Sequence, residues 1–176
     1  MTLARTLKTE LPALPSILLP RRSKLEQTLY SLPDHWLIRE DLQVGHLTQV
    51  TVLISAHGVF ALVPQEPSGV ILHNPRTLLV ADQNLMPQVQ AVQNNTEYFS
   101  RQLGVPVYPV MLFQQLLEAD ELKARALYSS TVREWEIDNV KIVTWDSLKT
   151  YLLSHTRKKL SWEDTMRLSQ KMRTLY

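Results

Sequence analysis

Gln49-Val50-Thr51-Val52-Leu53-Ile54-Ser55, then His57-Gly58, then Val59-Phe60-Ala61-Leu62-Val63 is the stretch whose reading decides the fold. The first run is β-branched and apolar, which suits a buried strand. His57-Gly58 reads as a turn, and the second run returns at once, so the two runs are expected to pair as a hairpin. Upstream, Trp36 to Leu42 reads as a further strand. Leu25, Leu29 and Leu32 form one apolar helical stripe that Pro33 ends. Downstream, a Pro/Ser/Gly loop from Pro64 to Gly69 leads to short strands at Val70–Leu72 and Leu78–Ala81. The period then changes. Pro87 opens a helix that buries Val89, Val92, Phe99 and Leu103 and stops at Gly104 and Pro106. Val107–Phe113 and Val140–Val143 read as strands, and Leu116–Ser130 reads as a helix. Asp146 is expected to cap a helix reaching Leu153. Ser161-Trp162-Glu163-Asp164 has capping-box spacing for a last helix that packs through Met166, Leu168, Met172 and Leu175. Helix, antiparallel strands, helix, strands and helices in that order predict one α/β domain, residues 21–176, with a mixed central sheet flanked by helices.

At 176 residues the chain is long enough for a real core, and 44% hydrophobic with 20% charged residues is an ordinary globular balance. A formal net charge of +2 gives no global field for nucleic acid, so any attraction has to come from local clusters. With no cysteine there is no disulfide or thiolate zinc site, which is compatible with a reducing cytoplasm, the expected location. Residues 1–20 read as a proline-rich arm instead of a signal peptide, because Pro12, Pro15 and Pro20 interrupt the apolar stretch and no small-residue cleavage site follows. Nothing approaches a membrane span, so no membrane partner is expected. The arm's Leu11, Leu14, Ile17, Leu18 and Leu19 need cover from their own domain or from a second copy, which makes a homodimer the expectation.

His35, His46, His57, His73 and His155 show no metal-ligand spacing. Nucleophile-elbow, Walker and dinucleotide motifs are absent from the sequence, and no cofactor is implied. Two basic clusters remain: Arg21-Arg22-Ser23-Lys24, and Arg157-Lys158-Lys159 followed by Arg167, Lys171 and Arg173. Either cluster can be an ordinary solvated face or a phosphate contact. Trp36, Trp135, Trp145 and Trp162 do not cluster and lack interleaved basic residues, so they read as core or partner-contact residues and not as a stacking platform for single strands.

Leu29-Tyr30-Ser31-Leu32-Pro33, Gln49 to Ile54, Gly58 to Val63, Gly69-Val70-Ile71 and Pro87-Gln88-Val89-Gln90-Ala91 together resemble the nuclease-related (NERD) family of the PD-(D/E)xK nuclease superfamily. The tail, Val140–Val143 and two helices, is similar in order, and the resemblance covers residues 20 to 174. It implies a restriction-endonuclease-like α/β fold and a metal-dependent phosphodiesterase site. In that site an Asp, a Glu and a Lys on neighbouring strands, with a Glu in the opening helix, hold the cation and activate water. The matching positions here are Thr51, Val63, Gln65 and Arg22, none of which is a metal ligand of that kind. The resemblance therefore implies a pseudo-nuclease with no catalytic or metal residues that binds nucleic acid in the old cleft. Its candidate contacts are Arg21, Arg22, Lys24, Gln90, Arg157, Lys158 and Lys159. Two alternatives stay open: an assembly subunit that binds another protein, and a nuclease whose metal site has moved to Glu40-Asp41 or Glu66. If the register of the resemblance is shifted, Thr51 and Val63 are simply good strand residues.

Overall fold

The computed structural model of the chain describes residues 24–33, 35–74, 76–118 and 135–175. The arm 1–20, Arg21 and Arg22 lie outside these residues, as does most of the helix expected over Leu116–Ser130. Of that last segment, Leu116–Glu118 is described, and it is a strand.

The deciding stretch forms the expected hairpin. Strand β2 (Leu47–Ser55) pairs antiparallel with β3 (Gly58–Gln65), with Thr51 opposite Leu62 and Ser55 opposite Gly58. The turn is Ala56-His57, one residue earlier than the sequence suggested, and Gly58 is the first residue of β3. Gly58 stands at φ 144, and a Cβ there would meet the Tyr108 ring at 2.8 Å, so only glycine admits that ring. Strand β1 (Leu37–Val44) flanks β2 on the outer edge.

Strand β3 is followed by β4 (Gly69–Asn74), β5 (Thr77–Val80), the short β6 (Gln83–Asn84) and helix α2 (Met86–Leu103). Strand β7 (Val107–Phe113) then lies parallel to β3, and β10 (Val140–Thr144) lies parallel to β7. Strand β9 (Trp135–Ile137) closes the far edge, giving the order β1-β2-β3-β7-β10-β9. The short strands were expected in one mixed central sheet. They instead form a second sheet, β6-β5-β4-β8, with β8 (Leu116–Glu118) parallel to β4. Helix α1 (Lys24–Tyr30) precedes the sheets, and α3 (Trp145–Ser154) and α4 (Trp162–Leu175) end the chain.

Strand alternation sends side chains to two separate cores. One face of the large sheet, with Val52, Ile54, Ala61, Val63, Met111 and Ile142, is buried against α2, the small sheet and Leu168 and Met172 of α4. The other face, with Leu53, Phe60, Leu62, Val110 and Leu112, is buried against Leu29, Leu32 and Trp36 and against Leu148, Tyr151 and Leu152 of α3. Val89, Val92, Phe99 and Leu103 are the buried face of α2, as its period predicted, and Gly104 ends it in the left-handed region. The architecture is α/β. Among the described residues no helix is long and apolar enough to cross a membrane.

Candidate functional site

The resemblance would place Thr51, Val63 and Gln65 around one pocket, and the strand register does not. Thr51 faces its partner Leu62, and cross-strand partners share a face, so its hydroxyl is on the side covered by α1 and α3. Val63 is the next residue after Leu62 and turns into the opposite core, among residues packed on α2 and the small sheet. Thr51 is 6% exposed and Val63 5%. Gln65 is half-buried at the end of β3, where its Nε2 donates to the Val63 carbonyl at 3.2 Å.

Gln65 does line a pocket, but with other neighbours. A cavity of about 450 Å³ opens at the carboxyl end of β3 and is walled by Pro64, Gln65, Glu66, Pro67, Gln83, Leu85 and Gln88. On a regular strand Glu66, the next residue, would face away from Gln65. Because β3 ends at Gln65, strand alternation no longer governs Glu66, and both residues reach the same cavity. Gln90 is exposed on the first turns of α2 and does not line it. Glu40 and Asp41 are exposed on β1, the sheet's outer edge. Among the described residues no three His, Cys, Asp or Glu side chains gather as a metal site.

Arg157, Lys158 and Lys159 are exposed on the loop joining α3 to α4, and that loop belongs to the other end of the sheet. The Lys159 and Leu160 N–H groups both donate to the Ala56 carbonyl, at 2.7 and 3.0 Å, tying the loop to the β2–β3 turn. From there to Gln65 is the length of β3, about 23 Å at 3.3 Å per residue. Gln65 and this basic cluster therefore do not form one cleft. Lys24 is the first residue of α1.

The basic loop rests on aromatic packing. Lys159 Nζ donates to the Tyr108 hydroxyl and lies 4.6 Å from its ring centroid. Tyr108 packs on Phe60 at 5.2 Å, and the His155 ring lies 4.9 Å from Phe60 and from Tyr151. His35 and Trp36 approach His57 at 6.3 and 6.4 Å. The loop ends at Trp162, read from sequence as a core or partner residue, which is 59% exposed. Its signal was its place three residues after Arg157-Lys158-Lys159, a basic run followed by an aromatic side chain. Beside it, Ser161 donates to the Asp164 carboxylate through its hydroxyl at 2.7 Å and its N–H at 3.3 Å. Those two bonds, and then Arg167 at 2.6 Å, hold the Asp164 carboxyl below its ordinary range.

Compared with protein-family models, with curated proteins and with solved structures, the chain matches none.

Proposed function

We propose that this domain is a catalytically inactive, NERD-like module that binds single-stranded nucleic acid without cutting it, through the loop from His155 to Trp162. The observation that carries the reading is that Arg157, Lys158 and Lys159 stand exposed on one loop held to the sheet by backbone hydrogen bonds, and that the indole of Trp162 stands exposed where this loop enters α4. Cations on a fixed backbone take phosphates and release counterions, and an exposed indole stacks an unpaired base of any sequence. Arg21 and Arg22 are two further cations that the resemblance brings to this reading. The expected setting is cytoplasmic.

The test is a fluorescence titration of the full chain with a single-stranded oligonucleotide across a range of salt. Binding should quench Trp162 and weaken linearly in the logarithm of salt concentration. Arg157→Ala and Lys158→Ala should each lower that slope by about 1. Trp162→Ala should cost about 1 to 3 kcal/mol of affinity at constant slope. Affinity indifferent to salt and to these substitutions would overturn the reading. A shift in particle size with a protein partner, and none with oligonucleotide, would favour the assembly-subunit alternative, with or without a homodimer. Cleavage of plasmid that needs Mg²⁺ and stops with EDTA would favour the relocated nuclease.

A further inference from the structure

An open cavity at the carboxyl end of β3, one of several among the described residues, has a chemistry that differs from that of the basic loop. Its volume, about 450 Å³, falls in the range of roughly 300 to 1,000 Å³ typical of small-molecule sites. It also lies at the carboxyl end of a parallel strand pair, β3 and β7, the edge where α/β sheets bind ligands.

Three amides and one carboxylate line it: Gln65, Gln83, Gln88 and Glu66. Gln65 spends one N–H on the Val63 carbonyl, which leaves its Oε1 and second N–H for other partners. The remaining wall is apolar, from Pro64, Pro67 and Leu85. Among the described residues neither Lys, Arg nor His lines the cavity, so a phosphate would meet the Glu66 carboxylate with no described cation to offset it. A purely apolar ligand would strip water from four polar side chains and return nothing. A single carboxylate does not make a divalent-cation site. What fits is a flat, neutral molecule with donors and acceptors along its edge and an apolar face for the prolines.

We infer that this cavity takes an amino-bearing nucleobase, whose exocyclic amino group donates to Glu66 and whose adjoining edge is read by the glutamine amides. Amides pair with the neighbouring donor and acceptor of adenine, and carboxylates accept from the amino group of cytosine. The shared chemistry is the base, which can arrive as a free nucleoside or as one residue of a strand. The inference stands on the cavity alone and does not require the basic loop to bind phosphate.

The full chain, isotopically labelled, is titrated with adenosine, cytidine and uridine and followed by amide NMR shifts. Adenosine or cytidine should give saturable shifts at Gln65, Glu66, Gln83 and Gln88, with uridine at least about tenfold weaker. Glu66→Ala and Gln88→Ala, both at exposed positions, should each weaken the preferred nucleoside about tenfold while the circular dichroism spectrum is unchanged. An absence of shifts at these residues at millimolar nucleoside, equal binding of uridine, or an unaffected Glu66→Ala would each overturn the inference. A short oligo(dA) that moves the same resonances at lower concentration identifies the strand as the source, and equal concentrations identify the free nucleoside. Loss of nucleoside binding in Glu66→Ala and loss of salt-dependent strand binding in Arg157→Ala are separate readouts, so either reading can fail alone.

Discussion

At Gly45 the backbone stands at φ +61, and a Cβ there would fall 1.9 Å from Asn95 Oδ1. That oxygen is engaged: it accepts the His46 N–H at 3.0 Å, while Asn95 Nδ2 donates to the Ala91 carbonyl at 2.7 Å. One side chain of α2 thus fastens the β1–β2 turn. Gly45→Ala should therefore cost about 1 to 2 kcal/mol for the left-handed conformation, and about 1 kcal/mol more for displacing the Asn95 bond. Asn95→Ala alone should cost about 1 kcal/mol. Because both substitutions remove the same bond, urea unfolding of the double variant should give less than the sum of the singles. Full additivity would show that Asn95 does not hold the turn. None of this was legible in the sequence, because Gly45 and Asn95 are fifty residues apart and only the fold brings them together. The same limit applied to Thr51 and Val63. Their β-branched side chains announced strands, but which face each would take depended on the pairing register, Thr51 to Leu62.

Elements whose ends and periods are local were readable. The reciprocal cap of α4 is in place: the Asp164 N–H donates to Ser161 Oγ at 3.0 Å, and Ser161 returns its own N–H to the carboxylate. Ser161→Ala should lower stability by about 1 kcal/mol in urea unfolding. Asp164 adds a pH dependence. The Ser161 hydroxyl first, then the Ser161 N–H and Arg167, lower its folded pKa from the ordinary 3.8. The unfolded chain therefore takes up this proton more readily. Its contribution is fully present above pH 3.8 and is lost as pH falls through the lowered folded value. Asp164→Asn should flatten that acid limb in a series of urea midpoints, and curves of equal slope for variant and parent would contradict it. Where the ends were ambiguous the sequence misled. Asp146 was expected to cap α3, but the cap is Thr144, whose N–H donates to Ser147 Oγ at 3.2 Å, and Asp146 falls in the first turn. Met166 was expected to pack from α4 and is 38% exposed, because the face of α4 against the core is set by Leu168 and Met172. Leu116 was read as helical, since a three-residue strand paired only with distant β4 has no period of its own.

At the scale of the whole molecule, the α/β class followed from element order, whereas the division into two sheets did not. β4 and β5 leave the large sheet to cover its α2 side, burying Ile71, Leu78 and Val80 in the core that also holds Val63. That arrangement bears on whether the residues of the family it resembles could install nuclease chemistry in this sheet. Thr51→Asp would place a carboxylate on the α1–α3 side, at a position 6% exposed. Val63→Glu would place another in the α2-side core, at a position 5% exposed. The regular β2–β3 register directs the two side chains away from each other, through opposite faces of the sheet. They would not share a cation, and each would be a buried charge without a partner, at about 3 to 5 kcal/mol. A domain of this size has roughly 5 to 15 kcal/mol in total. Thr51→Asp and Val63→Glu should each lower the thermal midpoint sharply, and the triple variant with Gln65→Lys should lose its cooperative transition and show no Mg²⁺-dependent cleavage. Gln65→Lys alone, at a half-buried strand end, should fold as the parent does. Folding of the triple variant with recovery of metal-dependent cleavage would mean that Thr51 and Val63 converge on one pocket after all, and the two-face arrangement of the sheet would have to be abandoned.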